Sequence, residues 1–150
     1  MKLQIIQEST FEKARKKITE SKNNQIIFSS DDDELNRKVL EKLPIKIILI
    51  NLSKRKDFQK QRNSGFNQVL AKIAKKNKVA IGINLDEIFD AKPTEKIKIL
   101  ARVSQNIKLC NKNKLKMKFI SNKSQDDYNL KSLGLVLGMP TWMTSDLTKY

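Results

Sequence analysis

Residues 45–52 read Ile-Lys-Ile-Ile-Leu-Ile-Asn-Leu, an almost unbroken apolar run. A strand with one wet face alternates apolar and polar residues, whereas a run of this kind suits a strand covered on both faces, as in parallel sheets. Downstream, the polar, basic stretch 53–64 leads into Phe66, Val69, Leu70, Ile73 and Ala74. These share one face of a helix near 65–76 and leave Lys72, Lys75 and Lys76 on the other. Residues 79–85 (Val-Ala-Ile-Gly-Ile-Asn-Leu) then read as a strand. Upstream, residues 3–6 and 25–29 read as two more strands. Ser9 with Glu12 has capping-box spacing before Phe11, Ala14 and Ile18 in a helix near 10–22. Asp31 with Glu34 repeats that spacing before Leu35, Val39, Leu40 and Leu43, and Pro44 closes the segment.

Farther along, Pro93 suits a first helical turn. Ile97, Leu100, Ala101, Val103, Ile107 and Cys110 give a wide apolar face to a long helix ending near 113. Residues 117–121 and 135–138 read as short strands around a brief helix near 126–132. The last twelve residues show no clear period. Six strands, each followed by helix or loop, predict an α/β chain with a parallel sheet and right-handed crossovers. An eight-unit barrel usually needs at least about 200 residues, so 150 leave room for about six units. No linker or low-complexity stretch divides the chain, and the expectation is one domain over residues 1–150.

Lys and Arg number 31 against 16 Asp and Glu, for a net charge of +15. Residues 51–78 alone hold nine basic side chains and one acid, Asp57. A field this strong attracts a polyanion and releases its counterions on contact. Nucleic acid is the first expectation. No helix pairs a basic face with an exposed Trp, Phe or Leu face, so a membrane surface is not expected. Many of the lysines read equally as a solvated surface. Without His there is no Ser-His-Asp triad and no His-ligated metal, and the single Cys excludes an internal disulfide and a multi-Cys metal site. With no spanning apolar run and no secretory leader at residues 1–8, the expectation is a soluble, cytoplasmic protein.

The basic stretch is the candidate binding site. Lys54, Arg55, Lys56, Lys60 and Arg62 follow the carboxyl end of a buried strand, the edge of a parallel sheet where loops converge. Arg62 also precedes a predicted helix start, where backbone N–H groups favour phosphate. Lys72, Arg102 and Lys123 are further candidates. Asp31, Asp32 and Asp33 read as helix caps before they read as Mg²⁺ ligands. The cluster Asp86, Glu87 and Asp90 reads as a loop or helix start, with an Mg²⁺-mediated RNA contact as the alternative. Phe28, Phe66 and Phe119 sit in apolar patterns and read as core, so RNA is expected to be recognised by shape and backbone. Cys110 reads as a small core residue. Met139, Trp142 and Met143 form an apolar patch that either packs on the end of the fold or meets a partner.

The stretch 62–89 carries a motif. Gly65, Asn67, Val69, Leu70, Ala71 and Lys72 are followed by Asn77, Val79, Ala80 and Gly82. This arrangement resembles the archaeal ribonuclease P protein component 3 family, related to the thirty-kilodalton subunit of eukaryotic ribonuclease P and MRP. The likeness runs from about 46 to 140. It continues weakly around Arg102 and returns at residues 119–121 and 130–139. It implies a degenerate, TIM-barrel-like (β/α) barrel of the polymerase-and-histidinol-phosphatase type. It also implies an RNA-binding subunit of the ribonucleoprotein that removes 5′ leaders from precursor tRNA. By that resemblance the RNA catalyses with Mg²⁺, and the protein itself binds no cofactor or metal and is non-catalytic. Its partners are the ribonuclease P RNA, ribonuclease P protein component 2 and, indirectly, precursor tRNA. The alternative is a general RNA- or ribosome-associated binding protein on the same fold. A stand-alone metal-dependent phosphoesterase of that superfamily conflicts with the absence of His. Gln68 stands where the family usually has His, and Asp86 and Glu87 stand where it usually has a basic residue. The chain is also shorter than typical members. The shortfall is expected mostly before residue 45, leaving a sheet edge for the partner or the RNA to cover.

Overall fold

A computed structural model describes residues 2–22 and 24–148. Strand β1 (Leu3–Gln7), helix α1 (Phe11–Glu20), β2 (Gln25–Ser29), α2 (Asp33–Lys42) and β3 (Ile47–Leu49) are followed by a long loop. Then come α3 (Gln68–Asn77), β4 (Ala80–Asn84), the short α4 (Leu85–Asp90), the long α5 (Pro93–Asn113), β5 (Met117–Ile120), α6 (Asp127–Val136) and α7 (Thr141–Thr144). The strands pair in parallel in the order β1-β2-β3-β4-β5. Every crossover therefore steps one strand in the same direction, as in the wall of a (β/α) barrel.

Side chains alternate across the strands. Ile6, Phe28, Ile48, Ile81, Ile83, Met117 and Phe119 join the large core shared with the helices. Ile27, Ile47, Leu49 and Ile120 form a smaller cluster on the opposite face, with Ala80 packed beside it. Both faces of β3 are thus apolar, which accounts for the run at 45–52. Gly82 lies where a Cβ would come within 3.0 Å of both Ile47 and Leu49 on that second face.

Several expectations are corrected. The described residues form five strands rather than six, paired in one sheet that runs from β1 to β5. The missing strand is residues 135–138. Its first two residues end α6, Leu137 caps the helix, and Gly138 (φ 101°) turns the chain out. A short apolar run does not distinguish strand from helix by itself, and here Leu130 and Gly134 turn inward while Val136 is 84% exposed. Thr10, not Ser9, caps α1, without a side-chain bond. Asp32, not Asp31, caps α2, accepting from the backbone N–H groups of Glu34 and Leu35. Helix α3 begins at Gln68 behind its cap Asn67, so Arg62 lies outside its first turn.

Val69 and Ile97, expected on the apolar faces of α3 and α5, instead turn outward and are 52% and 70% exposed. Phe28, Phe66, Phe119 and Cys110 are buried, and burial pushes the Cys110 thiol up to about 12. The C-terminal patch divides. Met139 and Met143 pack into the core, whereas Trp142 stays partly exposed, donating from Nε1 to Asn111 Oδ1 at 3.3 Å.

Candidate nucleic-acid interface

Residues 50–67, between β3 and α3, contain no helix or strand, only an isolated bridge between Phe58 and Gln61. A loop this long in a compact chain needs partners for its backbone. Acids supply one set. Glu87, at the start of α4, accepts from the backbone N–H groups of Leu52 (2.9 Å) and Ser53 (2.7 Å). Glu95 of α5 accepts from Lys54 N–H at 3.1 Å, where the backbone turns through φ 57°.

Arginines supply the other set. Arg102, 1% exposed on α5, donates to the carbonyls of Leu52 (2.9 Å) and Arg55 (2.8 Å) and reaches Asp57 Oδ1 at 3.3 Å. Arg55 donates to Asn51 O at 2.6 Å and forms a two-pronged pair with Asp33 at 2.8 Å. Such fork-to-carboxylate pairs fix geometry as well as charge. Gly65 (φ 67°) completes the seat, because a Cβ there would lie 2.6 Å from Arg55 Cζ and 2.8 Å from Ile50 Cγ2.

The sequence-predicted cations therefore separate. Arg102 is buried and Arg55 is largely covered, its side chain 10% exposed, and both guanidinium groups are bonded within the chain. They hold the loop instead of presenting charge, which corrects their placement among the surface contacts. Lys54, Lys56, Lys60 and Arg62 are exposed on that loop, and Lys72 and Lys123 are exposed on α3 and after β5. Phe58 is not marked by any sequence pattern. It is 66% exposed at the tip, where its N–H and carbonyl pair with Gln61. A lone aromatic between charged residues gives no period to read, and only the turn reveals that it faces water.

Asp57 accepts the Asn63 N–H at 2.8 Å and then the Arg102 guanidinium, and these partners hold its carboxyl below the ordinary 3.8. A lowered folded-state value means the carboxylate supports the loop above pH 3.8 and loses that effect as pH falls through the lowered value. In an NMR titration of the Asn63 amide, the midpoint is expected below 3.8. A midpoint at or above that value would contradict the hydrogen bond.

Asp86 is held low in the same way by the Ser121 hydroxyl, the Asn122 N–H and Lys123. Asp86 and Glu87 thus clamp strand-end loops. Gln68 exchanges hydrogen bonds with Asn113, tying α3 to the end of α5. Glu8, Asp31 and Asp32 line a cavity at the carboxyl ends of β1–β3. Among the described residues no three His, Cys, Asp or Glu side chains stand where they could hold one metal ion. Nor is any described helix long and apolar enough to cross a membrane.

No family model matches the chain. It is 27% identical to ribonuclease P protein component 3 of Methanococcus maripaludis strain C7 over 147 residues, covering 98% of this chain and 60% of that protein. A shorter match of 51 residues, 43% identical, links it to the protein of the same name from Methanosarcina acetivorans, covering 34% of this chain and 21% of that protein. The chain thus spans about 60% of the length of the Methanococcus relatives it matches. The match also extends ahead of residue 46, beyond the motif-bearing stretch. In structure, it superposes with a TM-score of 0.78 and 20% identity on a chain from a cryo-EM structure of archaeal ribonuclease P with mature tRNA, covering 94% of this chain and 62% of that one. The α/β wall is therefore a fold it shares with that chain. Along nearly its full length, this chain is similar in sequence to proteins named ribonuclease P protein component 3.

Proposed function

We propose that this protein is an RNA-binding subunit of ribonuclease P and serves the removal of 5′ leaders from precursor tRNA. The observation that carries the reading is the loop at 53–64. Two arginines and two glutamates are committed to holding its backbone, and four exposed cations remain on a rigid frame. Preformed positive charge of this kind neutralises phosphate with little ordering cost. The similarity to component 3 proteins names the complex. On this reading the RNA carries catalysis with its Mg²⁺, the protein contributes no reacting group, and it works as a single cytoplasmic domain beside component 2. Phe58 offers a flat face to an unpaired base. The exposed Lys72 and Lys123 extend the same positive surface.

Reconstitution tests the assignment. With catalytic RNA and component 2 present, adding the protein is expected to lower the Mg²⁺ needed for leader cleavage. No change at any protein concentration would reject the assignment. The loop has its own test. Replacing Lys56, Lys60 and Arg62 with Ala is expected to reduce the slope of log K against log salt by about 0.7 to 0.9 for each phosphate left without its cation. Phe58→Ala is expected to weaken single-strand binding while leaving that slope in place. A slope unmoved by the triple change would place the RNA-binding surface elsewhere.

A further inference from the structure

The opposite end of the sheet has a different chemistry. Where β3, β4 and β5 begin, beside the last turns of α3 and α5, lies a cavity of about 500 Å³. Among the described residues, six lysines line it, Lys46, Lys75, Lys78, Lys114, Lys116 and Lys118, and no acidic residue does. Lys75 Nζ donates to Lys114 O at 3.0 Å, and Lys114 Nζ lies 5.5 Å from the Trp142 ring centre. Lys116 Nζ is 3.5 Å from the Asp146 carboxylate, and Lys118 Nζ donates to the Asp146 carbonyl. Among the described residues, Lys46, Lys75, Lys78 and Lys114 form no ion pair. Like charges gathered against the apolar walls of Ile47, Val79 and Leu115 repel one another, and an anion between them reverses that cost.

A second observation points the same way. Lys78 (φ 55°) and Lys114 (φ 56°) both sit in the left-handed region just after their helices. Each turn closes with the next residue's N–H on a helix carbonyl, Val79 to Ala74 O and Leu115 to Cys110 O, both at 2.9 Å. Glycine occupies such positions without penalty. Here lysine occupies both, each is exposed, and each lines the same cavity. Lysine holds both turns at a conformational cost that glycine would avoid, and both side chains line the one cavity.

We propose that this cavity is a second phosphate site, which takes neighbouring phosphates of an RNA backbone at the end of the sheet away from the 53–64 loop. The choice of RNA rests on the function proposed above; the demand for phosphate rests on the cavity itself. The chain then holds two separated tracts of backbone, one at each end of its strands.

The test uses the full chain carrying Lys78→Gly and Lys114→Gly together. Glycine suits both turns, so the variant is expected to melt at or above the parent's Tm, and weaker binding will not reflect a failure to fold. Binding of a short fluorescent single-stranded RNA is followed against salt, and stabilisation by inorganic tripolyphosphate is followed by thermal shift. The expected result is a salt slope about 1.4 shallower, from about 0.7 for each of two phosphates, together with loss of the tripolyphosphate shift. RNA binding with an unchanged slope overturns the site and leaves the RNA-binding function standing. If the parent binds no RNA but shows a tripolyphosphate shift that the variant loses, the phosphate site stands and RNA is removed as its ligand. If the parent responds to neither probe, both proposals fall.

Discussion

Arg102→Met is expected to destabilise the protein by about 2–4 kcal/mol, because the carbonyls that the guanidinium satisfies are left without a donor. For a chain of this size that corresponds to a Tm about 10 °C lower. Methionine fills much of the space but donates nothing. The carbonyls of Leu52 and Arg55 lose their donors, and Asp57 loses the guanidinium beside it. Each unsatisfied buried acceptor costs about 1–3 kcal/mol. Arg102→Lys is expected to recover less than half of the loss. One ammonium at the end of a flexible stem does not reproduce a planar fork that spans two carbonyls and a carboxylate. The measurement is thermal or denaturant unfolding combined with protease cleavage in residues 53–64, and both Arg102 variants should be cut there first. A loss below about 1 kcal/mol would mean that the loop holds itself without the guanidinium.

Gly65→Ala is the second large effect, expected at about 2–4 kcal/mol. Part of this is the left-handed backbone at φ 67°, which alanine adopts only at a cost. The rest is steric. The new methyl would push the Arg55 guanidinium off its seat and loosen its pair with Asp33. The collision names its own suppressor. In a double-mutant cycle, Arg55→Ala should cost less in the Gly65→Ala background than alone, because the pair it removes is already loosened there. Additive effects would show that the backbone alone sets the cost.

These two residues explain much of what the motif at 65–82 encodes. Gly65 makes room for Arg55, and Asn67 caps α3. Leu70, Ala71 and Val79 are core. Asn77 donates to Leu40 O at 2.7 Å, and Gly82 leaves space on the second face of the sheet. The motif is therefore a folding instruction. Glu87 and Asp86 illustrate the reverse. Their acidity is plain in the chain, but they are clamps on the loops after β3 and β5, a role that emerges only once those loops lie beside α4.

The strand–helix alternation, the doubly apolar β3, the core face of α5 and the excess of positive charge were legible in the chain itself, because hydrophobic period and composition are local properties. Which cations meet water was not. Arg55 and Arg102 look like any other basic residues until α2 brings Asp33, and the loop brings its own carbonyls, to their guanidinium groups. The run 135–138 failed for a related reason, since its period is too short to choose between strand and helix without a packing partner. The lysine cavity belongs wholly to the tertiary structure. Lys46, Lys78 and Lys114 are far apart in sequence, and they converge because each helix-to-strand turn of a parallel sheet returns the chain to the same end of the strands.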